Sequence, residues 1–322
     1  MKEINRIVIP LQSRSPGRGL CWRGDELVDW TGIWEYRLDG TSTDVRVNIG
    51  YRFDRAVASA SGKYVVLYEQ LGTKGIVLKK GEILREINRS FYQAHVYEYP
   101  IVFLKLPDGT EAIAHCPDHY NVIEIEEVES GKRLTSRTGE AGDFFHSRLQ
   151  VSPDGRFLMS AGWFWHPWDS IQLYNLEQAL RNPEILDRVS MFHLSELEEE
   201  IHTAAFDGPD RIVCSAETEE EVMRLGIYNI EAGQLLISHS VDSAMGTLMP
   251  MGKWLLSFFE HPKLIDLDTG EVIHHWPDLP SGLQNSSIIY HHHGGLPTIA
   301  LDPDNYRFAI ADSEKITVVE LG

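Results

Sequence analysis

The chain has 322 residues, with 29 Lys or Arg against 48 Asp or Glu, a formal charge of −19. That balance opposes the phosphate neutralisation that nucleic-acid binding requires, and no dense basic run offsets it, so nucleic acid is not expected as a partner. With 43% hydrophobic and 24% charged residues, the composition is that of a folded chain with a large core.

The first apolar run, Ile7 to Ile9, is stopped by Pro10, far short of a secretory signal or a membrane span. No later run reaches the length of a span, so no membrane partner is expected. Cys21, Cys116 and Cys214 are odd in number, widely spaced and without a CxxC pair. They form no disulfide framework, which points to a reducing compartment and a cytoplasmic location.

The elements that follow repeat. An alternating strand at Asn5–Ile9 precedes a hairpin turn at Arg23-Gly24-Asp25. Further turns between apolar segments fall at Ser61-Gly62-Lys63, Pro107-Asp108-Gly109, Ser152-Pro153-Asp154-Gly155 and Asp207–Asp210, then at Met249–Gly252 and Leu301–Asn305. Each begins a unit of several strands, and the period is about 47 residues. Such a period signals a β-propeller of four-stranded antiparallel blades around a central channel. Seven units are present, and the last, Thr298–Leu321, supplies only three strands. Pairing Asn5–Ile9 as its missing outer strand closes the ring and removes an exposed edge. One domain over 1–322 is expected, an all-β seven-bladed propeller with a short helical insertion around 176–201. In that insertion, Ser195 and Glu198 have capping-box spacing.

The Ser152-Pro153-Asp154-Gly155 turn and the run Asp266-Leu267-Asp268-Thr269-Gly270-Glu271 resemble WD40-like and quinoprotein-like β-propellers, and the likeness spans nearly the whole chain. No repeat carries a full Gly-His…Trp-Asp signature, and the quinoprotein tryptophan is matched at most by Trp276. The resemblance implies the fold rather than an activity.

In a propeller, the loops between second and third strands share a face with the loops between blades. Here that face is expected to collect Trp30 and Trp34, His115–His119, Trp163-Phe164-Trp165-His166-Pro167-Trp168, Glu217–Glu221 and Phe258–His261. His95, His146, His202 and Tyr290–His293 join them, so ten of the fourteen histidines map there. The segment 163–168 lacks regular strand alternation. It is either an exposed anchor of the kind found at binding hot spots or a flap that buries its own rings over the channel mouth. His146 and His202 each lie seven residues before a Pro-Asp pair. They therefore start neighbouring inner strands, where two imidazoles with His293 or a carboxylate can ligate a divalent transition metal. The arrangement is similar to that of metal-dependent propeller lyases. The bland reading is that these histidines hydrogen-bond to the backbone at strand starts.

No Gly-x-Ser-x-Gly elbow, phosphate-binding Gly loop or His-Glu-x-x-His is present. The function expected first is therefore a non-catalytic protein-binding propeller with no cofactor. Its aromatic, acidic and His-rich face would use Trp163, Phe164, Trp165, His166, Trp168, Trp30, Trp34 and Phe259. The net charge favours a partner with a basic surface, for example a protein that an inhibitor or immunity-type module covers. The alternative is a metal-dependent lyase or hydrolase at the channel mouth, with His146, His202 and His293 as ligands.

Overall fold

The computed structural model describes residues 1–12, 17–44, 51–190, 199–289 and 298–322. Strand β1 (Glu3–Pro10) stands before the first blade, β2–β5 (Leu20–Arg23, Glu26–Asp29, Trp34–Arg37, Ser42–Asp44). Blade 2 is β6–β9 (Arg55–Ala58, Tyr64–Tyr68, Lys74–Lys79, Glu82–Asn88), and blade 3 is β10–β12 (Ile101–Lys105, Glu111–His115, Glu124–Glu127). Blade 4 is β13–β15 (Leu149–Val151, Phe157–Phe164, Trp168–Asn175), followed by helix α1 (Leu176–Arg181) and a 3-10 turn, Pro183–Asp187. Blade 5 is β16–β19 (Glu199–Phe206, Arg211–Thr218, Met223–Asn229, Gln234–Ser240), and blade 6 is β20–β23 (Leu248–Met251, Trp254–Ser257, Lys263–Asp266, Val272–His275). Blade 7 is β24–β26 (Thr298–Asp302, Arg307–Ala311, Lys315–Leu321).

These are seven antiparallel sheets, and the strand order of the last is β1-β26-β25-β24. The N-terminal strand closes the ring in the register Ile7↔Val318 and Ile9↔Ile316. All seven turns read from the sequence sit on, or beside, the hairpin between a blade's first and second strands.

Position in the blade explains the residue pattern. Second strands such as β7 and β25 are packed on both faces and are almost wholly buried. The outer strand β19 has one face in water and alternates exposed with half-buried positions along Gln234–Ser240. Among the described residues, an apolar cluster lies at each seam between adjacent blades. Ile9, Leu20, Leu27, Tyr36 and Val318 fill the closing seam between blades 7 and 1. Arg307 pins the same seam, its guanidinium lying over Trp22 at 4.0 Å and donating to the Gly24 carbonyl at 2.7 Å. The Arg23-Gly24-Asp25 tripeptide is thus a seam turn.

The insertion is partly described. Asn175 caps α1 by accepting from the Gln178 amide at 3.0 Å. Leu176 and Ala179 then pack into the seam between blades 3 and 4 with Leu186 from the 3-10 turn. The capping box Ser195–Glu198 lies outside the described residues.

One feature of the ring was not legible in advance. Residues 96–98, on the approach to blade 3, pair with 287–289, on the approach to blade 7. Tyr97 bridges Ile288, the Glu98 amide donates to Ser287 at 3.1 Å, and the Ile289 amide donates to Val96 at 2.7 Å. Blades 3 and 7 are not neighbours, so this pairing spans the channel mouth. The polar cavity beneath, about 180 Å³ and lined by Arg18, Arg55, Gln70, Glu98 and Gln284, is smaller than an ordinary ligand pocket.

Candidate functional site

Beside that bridge, blades 3 and 4 raise a group of stacked rings. Its base is the β14–β15 hairpin, whose register runs without interruption from Phe157↔Asn175 to Phe164↔Trp168. The segment 163–168 is therefore not the irregular loop that its composition suggests. It is a hairpin end with a tight turn at Trp165-His166-Pro167, and His166 takes the left-handed conformation at φ 85°. Gly162 lets the preceding chain come close. A Cβ there would lie 1.9 Å from the Phe145 carbonyl oxygen. The Phe145 amide donates to Trp163 at 2.8 Å, and the Trp163 amide returns a bond at 3.2 Å.

Phe145 then stacks on Trp163, with centroids 3.8 Å apart and planes at 7°, and on Tyr120 at 4.1 Å. Tyr92 and Trp165 complete the raft, each 5.9 Å from Phe145. Tyr97 from the channel bridge meets Phe145 edge-on at 5.6 Å. The inner rings are buried, Phe145 completely and Trp163 to 4% exposure, while Trp165 is 46%, Tyr92 41% and Phe91 84% exposed. The two sequence readings of this segment each describe one half of it. Tyr120 donates to Asp143 at 2.7 Å, and burial followed by that carboxylate pushes its hydroxyl up to about 12.

Other residues expected on this face turn elsewhere. Trp30 is buried in the seam between blades 1 and 2, and Trp34 packs half-buried against the closing seam. Both indoles thus pack among core side chains of the ring. Phe259 is half-buried, and the Lys263 ammonium donates to its carbonyl at 2.9 Å. Phe164 packs edge-on against Phe144 at 5.0 Å, Trp168 is half-buried and His166 is exposed. His115 lies buried in β11, 3.3 Å from Glu126.

His146 and His202 do stand at matching places, each at a one-residue irregularity of an inner strand. The β16–β17 register shifts between Ile201 and Thr203. On the blade 4 side, the Leu149↔Ser160 pairing resumes as Phe145↔Trp163, also one residue out of step. The two rings nevertheless face different surroundings. His146 is fully buried against Phe144 and Tyr174, with Nδ1 3.1 Å from the Ser160 hydroxyl. Burial, with Arg137 nearby, pushes its pKa down to about 3. His202 lies between blades 4 and 5. Its Nδ1 donates to Asp169 at 3.0 Å and its Nε2 to Glu217 at 3.0 Å. Burial opposes charge on His202, but the Asp169 hydrogen bond and charge outweigh it, followed by Glu217, and hold the pKa at about 9. Among the described residues the two histidines have different hydrogen-bond partners, and the group of possible ligands around His202 does not include His146. His293 lies outside the described residues.

In place of that pair, the structure groups Asp169, Glu200 and His202, whose ligand atoms all lie within 4.8 Å of one another. The Asp169 amide donates to Glu200 at 2.9 Å, so the hairpin that carries the raft also fixes this cluster. Burial raises the Glu200 carboxyl, and the charges of Asp169 and Glu217 act in the same direction. Sequence reasoning had His202 and the Glu217 run but missed Asp169, and it did not join Glu200 to His202; only cross-strand pairing brings the three together. It missed Tyr92, Tyr120 and Phe145 for the same reason. A larger groove of about 1160 Å³ opens between the inner turns of blades 2–4, where Leu106, Pro153 and Leu180 contribute to its lining.

No family model matches this chain, and no curated protein matches it in sequence. Solved structures match it along its whole length. The chain is similar to a Kuenenia stuttgartiensis hydrazine synthase chain, at 14% identity and TM-score 0.60 over 97% of each chain. It is similar to the β-propeller domain of Cps50 (Swd1) from Myceliophteria thermophila, at 11% identity and TM-score 0.59 over 99% of this chain and 100% of that one. A chain of the mitotic checkpoint complex matches at 13% identity and TM-score 0.58, over 99% of this chain and 94% of that one. At these identities the likeness concerns the fold alone, and the fold is a seven-bladed β-propeller.

Proposed function

We propose that this propeller is a protein-recognition module that engages a basic partner through the outer edge of the aromatic raft. One observation carries the reading: Tyr92 and Trp165 remain exposed at the rim of a stack whose inner rings are buried, and Phe91, next to Tyr92 in the chain, is more exposed still. A rigid ring system offers large contact area with few rotors to freeze, which suits an anchor at a binding hot spot. Asp143 lies at one side of the raft, and Glu217 lies by the hairpin that carries Trp165. Arg and Lys side chains can stack on the rings and pair with those carboxylates. The net charge of −19 supports the same partner by steering positive surfaces toward the molecule. A specific form is an inhibitor or immunity-type protein that covers the working surface of a basic protein. Propellers of this fold also occur in assemblies, the mitotic checkpoint complex among them.

The test is affinity capture with the wild type beside a Phe91→Ala, Trp165→Ala double variant. The partner held by the wild type is expected to bind the variant at least about tenfold more weakly. Its binding to the wild type should weaken between about 50 mM and about 300 mM salt. Equal retention by the two proteins would remove the raft from the interface.

A further inference from the structure

We propose that Asp169, Glu200 and His202 form a binding site for one divalent transition-metal ion, of which Zn²⁺ is the type, at the seam between blades 4 and 5. The site is separate from the partner surface in its chemistry and does not depend on it.

The donor set is one imidazole and two carboxylates, with Glu217 on the far side of the imidazole. Nitrogen and oxygen donors of this mixture suit Zn²⁺ or Mn²⁺ and are too few for Ca²⁺, which takes six to eight oxygens. The spacing also fits. Two ligands at 2.0–2.1 Å on a tetrahedral ion stand about 3.3 Å apart. Asp169 Oδ2 and His202 Nδ1 are 3.0 Å apart, so a shift of a few tenths of an ångström admits the ion in place of the proton they share. Glu200 is already within 4.8 Å of both.

A second observation is independent of the cluster's composition. The Asp169 side chain is only 6% exposed, and its other oxygen, Oδ1, is buried without a hydrogen-bond partner among the described residues. A buried, unsatisfied carboxylate oxygen is costly, and the two oxygens of one carboxyl are never far apart. The unsatisfied oxygen belongs to a residue of the site, and a cation held by both oxygens of Asp169 would satisfy it.

The backbone is arranged to hold such a site. Asp169 sits opposite Trp163 on the β14–β15 hairpin, and Glu200 sits opposite Glu217 in blade 5. His202 is placed by the β16 irregularity, which turns its ring into the seam. An ion here would tie the raft hairpin of blade 4 to the inner strand of blade 5.

The experiment is a calorimetric titration of untagged, metal-stripped protein with Zn²⁺, and a parallel titration with Co²⁺ followed by visible absorption. The wild type is expected to bind one equivalent. Near-isosteric Asp169→Asn and Glu200→Gln variants are expected to bind at least about tenfold more weakly. Co²⁺ should also quench tryptophan fluorescence, since Trp168 adjoins a ligand. Thermal unfolding of each variant without metal separates lost binding from lost fold. No binding by the wild type would make the cluster an ion pair only. Undiminished binding by both folded variants would place the ion elsewhere, for example at His291–His293. Either result overturns the proposal.

Discussion

At the irregularity ahead of β13, the Ser160 hydroxyl receives the Ser147 amide at 3.2 Å and lies 3.1 Å from His146 Nδ1. Burial, with Arg137 nearby, keeps His146 a neutral ring, whereas the matching irregularity in β16 offers carboxylates and makes His202 a charged one. Register could locate both histidines from the sequence, but their partners come from strands that the sequence separates. Glu126 is a similar case with a measurable consequence. Burial alone would raise its carboxyl, but His115 and then Arg85, at 2.9 Å, outweigh burial and hold it at about 2. Its folded-state pKa lies below the unfolded value. Its contribution is therefore complete above about pH 4.5 and is lost as the pH falls toward about 2. Urea midpoints measured from pH 6 to pH 3 should decline below about pH 4.5, and the decline should be shallower in Glu126→Gln. Parallel acid limbs for the two proteins would contradict this account.

At the scale of the element, the β14–β15 hairpin links raft and cluster. Its inner half was readable, because the Ser152–Gly155 turn and the alternation after it are local signals. Its outer half was not. Three tryptophans in six residues look irregular until the approach of residues 144–145 gives Phe164 and Trp163 something to pack against. Gly162 permits that approach. Gly162→Ala would force a Cβ onto the Phe145 carbonyl oxygen, in a place where backbone rather than a side chain must move. The expected cost is at least about 2 kcal/mol, read as a lower urea midpoint, together with a loss of near-UV circular dichroism from the stacked rings. Unchanged stability and an unchanged aromatic signal would mean that the two segments are not packed as described.

For the whole molecule, closure rests on β1. The strand covers the β26 edge and places Ile9, fully buried, in the closing seam. Removing residues 1–10 would expose a row of unpaired backbone groups and open that apolar seam. The truncated protein is expected to lose its single cooperative unfolding transition and to self-associate in size-exclusion chromatography. A monomer with wild-type unfolding would refute closure by β1.

The sequence by itself determined the ring: seven turns at regular spacing, the alternation of the strands, and a spare strand at one end with a vacancy at the other. Those are local or periodic properties, written in the order of residues because backbone pairing within a blade joins neighbours in the chain. Only the tertiary structure decided which side chains meet. The channel bridge joins residues 96–98 to 287–289, the raft draws on Tyr92, Tyr120, Phe145 and Trp165, and the cluster joins Asp169 to Glu200 and His202. Each of these forms between blades or across the ring, where side-chain direction and small register shifts set the contact.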